Sequence, residues 1–226
     1  MGQLSASSRV AIVGGAGKIG RLLADRLVEQ GTAAVPLARR DVQLEALAVA
    51  GGDPRRLDIE HAGVDDFVAA FEGCDAVVFT AGGGADGNAG RKQTVDLGGS
   101  LKSIAAAELS GIRRFVQVSA IGVDAPADAS RGEAWVAYVE AKREADSALR
   151  ASGLAWTILR PGRLTDDAPT GLVELGPDVG PGAIPRDDVA ALIAACLADP
   201  ATALHQWEVV GGTTSIEDAI VAHAHR

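Results

Sequence analysis

Tyr138 and Lys142 stand four residues apart in a stretch with helical periodicity, so the sequence places them on one helix face. Tyr138 is the only tyrosine in the chain, and Lys142 is one of four lysines. A free phenol titrates at about 10, too high for a good proton relay near neutrality. A neighbouring ammonium favours the phenolate and is expected to lower that value. The pair suits general acid–base chemistry, with the tyrosine exchanging a proton with a carbonyl oxygen while the lysine tunes it and holds a ribose. An ordinary surface helix, with the tyrosine half-buried and the lysine solvated, is the plainer alternative. Ser119 follows the apolar run Arg114–Val118. It is placed either to orient a carbonyl and steady a developing oxyanion or simply to cap its strand.

These groups need a frame, and the start of the chain indicates which. Val10–Val13 is an apolar run that breaks into glycines at 14, 15, 17 and 20, and Ile19, Leu22, Leu23 and Leu27 follow at helical spacing. The pattern predicts a strand, a tight turn and a helix. A helix N-terminus presents free N–H groups and partial positive charge, which suits a phosphate. Gly14 is expected to make the turn, Gly17 to admit a pyrophosphate to the backbone, and Gly20 to let helix and strand pack closely. The same alternation continues. Strands are expected at Ala33–Leu37, Asp75–Phe79, Arg114–Val118, Trp156–Leu159 and Trp207–Val210, with a short third strand that ends in Leu57–Ile59 and helices between them. Such a chain forms an α/β fold of Rossmann type, a doubly wound parallel sheet of about seven strands with helices on both faces. Ligands then sit beyond the carboxyl ends of the strands. The glycine turn, Asp58, Thr80–Gly82, Ser119 and Pro161 all follow strand ends and converge on one crevice.

The second strand ends Leu37-Ala-Arg-Arg40, and the first acidic residue is Asp41. An NAD site usually carries an acid at this strand end, whereas Arg39 and Arg40 offer planar forks for a 2′-phosphate. NADP is therefore expected over NAD, unless the two arginines are merely a solvated pair. Asp58 is placed to accept a hydrogen bond from an adenine amino group or to cap a turn.

The 226 residues are enough for one domain with a sizeable core, and a net charge of −9 argues against a nucleic-acid partner. Cys74 and Cys196 have no metal-ligand spacing and read as buried hydrophobes in a reducing compartment, and no metal is expected. No apolar run reaches membrane-spanning length, and the N-terminus lacks the charged and apolar regions of a leader. A cytoplasmic protein with a small-molecule substrate, no membrane partner, and a monomeric or homodimeric state is expected.

Taken together, Val13-Gly-Gly-Ala-Gly-Lys-Ile-Gly20, Leu37-Ala-Arg39, Leu57-Asp-Ile59, Phe79-Thr-Ala-Gly82, Val118-Ser119, Tyr138-x-x-x-Lys142 and Thr157-Ile-Leu-Arg-Pro-Gly162 resemble the short-chain dehydrogenase/reductase superfamily. Within it the chain is similar to the small atypical NAD(P)-binding proteins of epimerase/dehydratase-like or NmrA-like type. The resemblance implies a strand order of 3-2-1-4-5-6-7. It implies a cofactor held by Gly14, Gly17, Lys18, Ile19, Gly20, Arg39, Arg40, Asp58, Ile59, Thr80, Ala81, Gly82, Ser119, Tyr138, Lys142, Pro161 and Gly162, with the last two near the nicotinamide. It also implies that Asp96 stands where the family places an active-site asparagine, alongside Ser119, Tyr138 and Lys142. The expected domain is 1–226, with 163–185 as a small segment covering the substrate. The leading expectation is an NADP-dependent oxidoreductase acting on a small carbonyl, quinone or flavin-like substrate. The alternatives are an NADP-binding sensor without turnover and an NAD(P)-dependent epimerase/dehydratase.

Overall fold

The computed structural model describes residues 8–84 and 87–225. The N-terminal residues considered for a leader, and Ala85 and Asp86 of the glycine-rich loop, lie outside the described residues. The first half alternates β1 (Arg9–Val13), α1 (Lys18–Glu29), β2 (Ala33–Ala38), α2 (Asp41–Val49), β3 (Arg55–Arg56), α3 (Val64–Ala70) and β4 (Ala76–Phe79). A helical run follows, made of α4 (Ala89–Arg91), a π-helical turn (Lys92–Leu97) and α5 (Gly98–Leu109). Next come β5 (Arg114–Val118), α6 (Glu133–Ala151), β6 (Ala155–Pro161), β7 (Arg163–Thr165), β8 (Leu172–Gly176) and β9 (Ala183–Pro185). The chain closes with α7 (Arg186–Ala198), β10 (His205–Gly211), β11 (Thr214–Ser215) and α8 (Ile216–Ala224).

The central strands β1, β2 and β4 are mostly apolar because both faces of the sheet are covered there. Val10 and Ile12 of β1 point into a core with α1 and α7. Ala11 and Val13, one residue out of phase, point into a second core with α3 and α5. Among the described residues the main sheet has nine strands, in the order β11-β8-β10-β6-β5-β4-β1-β2-β3. Seven of them, β3-β2-β1-β4-β5-β6-β10, are parallel and follow the expected order. The expectation of about seven strands is corrected by β8 and β11, which add antiparallel at the β10 edge. Both were hidden in sequence because the first lies in a Gly-, Pro- and acid-rich stretch and the second is two residues long. The third strand also falls earlier than expected, at Arg55–Arg56, with Leu57–Ile59 in the loop after it. Residues 163–185 supply β7 and β9, which pair with each other, as well as β8. No helix among the described residues is long and apolar enough to cross a membrane.

The chain winds outward from β1 through β2 to β3, then returns to the other side of β1 as β4. The crevice therefore opens between the ends of β1 and β4. Gly14, at φ +88°, turns the chain there, and a Cβ on it would stand 2.8 Å from the Ala81 backbone. Gly20 is a packing requirement, since its Cβ would stand 2.4 Å from the Gly14 carbonyl oxygen and 2.8 Å from the Gly15 Cα. Both neighbours are backbone and cannot rotate away. Overpacking of this kind costs about 1–3 kcal/mol, and each kcal/mol lowers Tm by about 2–4 °C in a chain of this size. Gly20→Ala is expected to melt several degrees below wild type, and a thermal melt followed by circular dichroism checks it.

Candidate functional site

The loops after β1, β2, β3 and β4 wall a cavity of about 350 Å³. Gly14, Gly17, Arg39, Asp58, Ile59, Thr80, Ala81 and Gly82 all line it. Gly17 is the N-cap of α1, with extended backbone and its own N–H turned back to the Gly14 carbonyl at 2.9 Å. A Cβ there would meet only that carbonyl, at 3.1 Å, so the position is open on the cavity side. The cavity thus joins a helix N-terminus to an arginine, which fits the phosphates of a dinucleotide.

Other predicted residues lie elsewhere. Ile19 is buried in the core, and Lys18 pairs with Asp166 across the crevice. Arg40 is exposed as the N-cap of α2 and is not among the cavity residues. Pro161 is buried at the end of β6, where its carbonyl accepts from the Ile121 N–H at 3.0 Å. Gly162 packs against Gly182 and Val210, where a Cβ would stand 2.5 Å from the Gly182 carbonyl oxygen. Sequence reasoning missed Gln43, Glu60 and Arg91, which also line the cavity. Arg91 lies 3.8 Å from Glu60 and brings a second cation to the wall. Its signal was its position just beyond the glycine-rich loop.

Asp58 works as a turn cap here. It accepts from the Glu60 N–H and from His61, both at 3.1 Å. Its burial pushes the carboxyl up, but His61, the Glu60 N–H and the charge of Arg39 outweigh that and hold it below its ordinary value. Asp41 has its own partner, the guanidinium of Arg56.

The remaining groups form a buried polar chain behind the cavity. Asp96, on the π-helical turn, accepts from the Gly83 N–H at 2.7 Å. Its other oxygen lies 3.5 Å from Lys142 Nζ, an ion-pair contact without a hydrogen bond. Lys142 donates to the Val118 carbonyl at 3.1 Å, and its ammonium lies 5.9 Å from the Tyr138 ring centre. The expected lowering of the Tyr138 pKa is not found. Burial pushes the phenol well above its ordinary value, and the carboxylates of Asp96 and Asp146 push the same way. The sequence placed Lys142 beside Tyr138 but did not show that Asp96 offsets its charge.

Ser119 is buried, and its hydroxyl donates to Asp146 at 2.8 Å. Asp146 was missed by sequence reasoning. It is fully buried and also accepts from Gln117 at 2.8 Å and Arg160 at 2.9 Å. Its signal was its spacing. Tyr138, Lys142 and Asp146 recur every four residues, and an acid there interrupts the buried stripe of α6 formed by Val139, Ala145 and Leu149.

Comparison with known proteins agrees with this geometry. Residues 14–200 match the NAD(P)H-binding family. The chain is 35% identical over 213 residues to an uncharacterized sugar epimerase, YhfK, of Bacillus subtilis, covering 94% of this chain and 98% of that one. A solved Bacillus halodurans structure, named for the NAD-dependent epimerase/dehydratases, is 34% identical with a TM-score of 0.88, covering 96% of this chain and all of that one. The anaerobillin reductase ChuY of Escherichia coli O157:H7 is 26% identical with a TM-score of 0.74, covering 90% and 97% respectively. With its glycine turn, cavity and doubly wound sheet in place, the chain belongs to the NAD(P)H-binding family.

Proposed function

We propose that the protein is an NADP-preferring oxidoreductase that reduces a carbonyl, quinone or flavin-like substrate with Tyr138 as proton donor. The observation that carries this reading is the succession of neighbouring groups from cavity to phenol. Gly82 lines the cavity, Gly83 donates to Asp96, Asp96 pairs with Lys142, and Lys142 stands beside Tyr138. A bound nicotinamide nucleotide supplies the hydride. The glycine turn and the α1 N-terminus hold its pyrophosphate, Arg39 takes a 2′-phosphate, and Thr80–Gly82 form the wall beside it. Lys142 anchors the ribose side of the site, and Tyr138 gives its proton to the substrate oxygen. A phenol kept protonated suits reduction, because the reaction needs a donor.

The names of relatives also favour a second reading, an epimerase that uses the nucleotide transiently. An epimerase must take a proton as well as give one, so its tyrosine has to ionise readily. The half-buried phenol, pushed up further by the carboxylates of Asp96 and Asp146, works against that. Nucleotide binding without turnover on a broad carbonyl, quinone and flavin panel would instead support a sensor.

Arg39 and the tied carboxylate of Asp41 generate a test of cofactor choice. Loss of a charge-assisted phosphate contact costs about 1.5–3 kcal/mol, roughly one to two decades in affinity. Calorimetric titration of Arg39→Ala is expected to show NADP weakened by that amount and NAD nearly unchanged. Equal NAD and NADP affinities in the wild type would remove the basis for the preference.

Tyr138→Phe deletes the proton donor and leaves the nucleotide cavity intact. Turnover of any substrate the wild type reduces is expected to fall by about 10² to 10⁴ while NADPH affinity holds. The pH sign follows from the raised pKa. A donor works while protonated and fails as pH rises through its pKa, so the loss caused by Tyr138 begins only above about pH 10. Steady-state rates across pH, in wild type and Tyr138→Phe, check both expectations.

A further inference from the structure

A carbonyl oxygen gaining negative charge needs donors besides the phenol, and three polar side chains border Tyr138 or its neighbours. Ser119 has one proton, and it is donated to the fully buried Asp146 at 2.8 Å. Asp146 holds three donors in a closed network, and withdrawing one would leave a buried carboxylate undersatisfied. Lys142 also makes one hydrogen bond, to the Val118 carbonyl, but its charge is offset by Asp96 at 3.5 Å. Lys92 differs. Its ammonium lies 5.6 Å from the Tyr138 ring centre, and the residue is only 7% exposed. One of its N–H groups donates to the Gly84 carbonyl. No carboxylate among the described residues forms an ion pair with it. An ammonium has three donors, so two remain. Burying such a cation without a counter-charge is costly.

The backbone supports the same assignment. Lys92 begins the π-helical turn Lys92–Leu97 that also carries Asp96. Turns of this kind recur at functional sites because the extra residue re-aims side chains. Here the turn delivers an acid to Lys142 and a base to the neighbourhood of Tyr138.

We propose that Lys92, rather than Ser119, is the second donor to the substrate oxygen at Tyr138 and a catalytic residue of this site. The assignment rests on the reductase reading above. As the carbonyl carbon takes the hydride, the C=O π pair moves onto oxygen. That oxygen takes the proton from Tyr138, and water returns a proton to the phenolate. Lys92 gives up no proton in this step and holds the oxygen by charge and hydrogen bond.

The test uses 4-nitrophenol, whose yellow phenolate is a stable oxyanion, titrated at neutral pH into the full-length protein with and without NADP. The wild type is expected to bind the phenolate form and raise its fraction above that in buffer. Lys92→Met, which keeps the length of the side chain, is expected to weaken phenolate binding at least about tenfold, with Lys92→Arg restoring most of it. Circular dichroism melts of both variants verify the fold. For any carbonyl the wild type reduces, Lys92→Met is also expected to lower kcat by about 10²-fold. No phenolate enrichment in the wild type, or equal binding by Lys92→Met, overturns the proposal. Loss on Ser119→Ala with none on Lys92→Met returns the role to the serine and overturns it too. The reductase reading fails separately, by absence of NADPH consumption across the substrate panel, even where Lys92 binds the phenolate.

Discussion

Lys142 and Asp96 are both shut off from solvent and lie 3.5 Å apart, joining α6 to the π-helical turn. Two buried charges are a poor way to gain stability, because desolvation offsets most of their attraction. Breaking the pair is far worse, at about 3–5 kcal/mol, since one charge would remain buried alone. The pair therefore fixes geometry. It sets where Asp96 meets the Gly83 N–H, and so the course of the loop after β4 along the cavity. It also decides how much of the Lys142 charge Tyr138 feels. Burial, with the carboxylates of Asp96 and Asp146 acting the same way, holds the phenol above its ordinary value. The loop along the cavity and the surroundings of Tyr138 thus meet at the same contact.

Behind that pair, a second network ties two strands and α5 to α6. Asp146 gathers Gln117 and Ser119 from β5 and its end, and Arg160 from β6, while Ser100 on α5 donates to Gln117 at 2.6 Å. Arg160 continues outward to Asp124 at 2.6 Å, where its guanidinium holds that carboxyl below its ordinary value against the opposing effect of burial. Every donor in this chain has an acceptor, which is what makes a buried polar network rigid rather than costly. The overall charge of −9 says nothing of this interior, where Lys142 meets Asp96 and Arg160 meets Asp146 and Asp124.

The fold was legible because it rests on periodicity. Strands buried on both faces read as apolar runs, and the glycine turn announced the first crossover. The candidate site was legible only where chemistry followed a strand end. Gly14, Gly17, Arg39 and Thr80–Gly82 meet in one cavity because strand topology brings such ends together. Contacts between distant segments left no comparable trace. Asp96 and Lys142 are 46 positions apart, and Arg160 and Asp124 are 36 apart. Nothing local says that an acid on one helix will absorb the charge of a lysine on another. The edge strand β8 failed for a different reason. Its burial alternates along Leu172–Gly176, but glycines and acids around it mask so short a signal.

Segment 163–185 is fastened unequally, and this bears on how a nucleotide reaches the crevice. At one point Asp188, fully buried on α7, accepts from the Thr170 N–H and hydroxyl and the Gly171 N–H, at 2.8 to 3.2 Å. Releasing that grip would leave a buried carboxylate without donors, so it holds. At the other, Asp166 bridges Lys18 and Arg186, the first residues of α1 and α7. The Asp166 side chain is 59% exposed and that of Lys18 is 65% exposed, so their pairing contributes little. Lys18 sits immediately after Gly17, where the helix N-terminus already favours a phosphate. The exposed bridge therefore holds the segment only lightly at the mouth of the crevice, while the buried anchor at Asp188 keeps the rest of it in place.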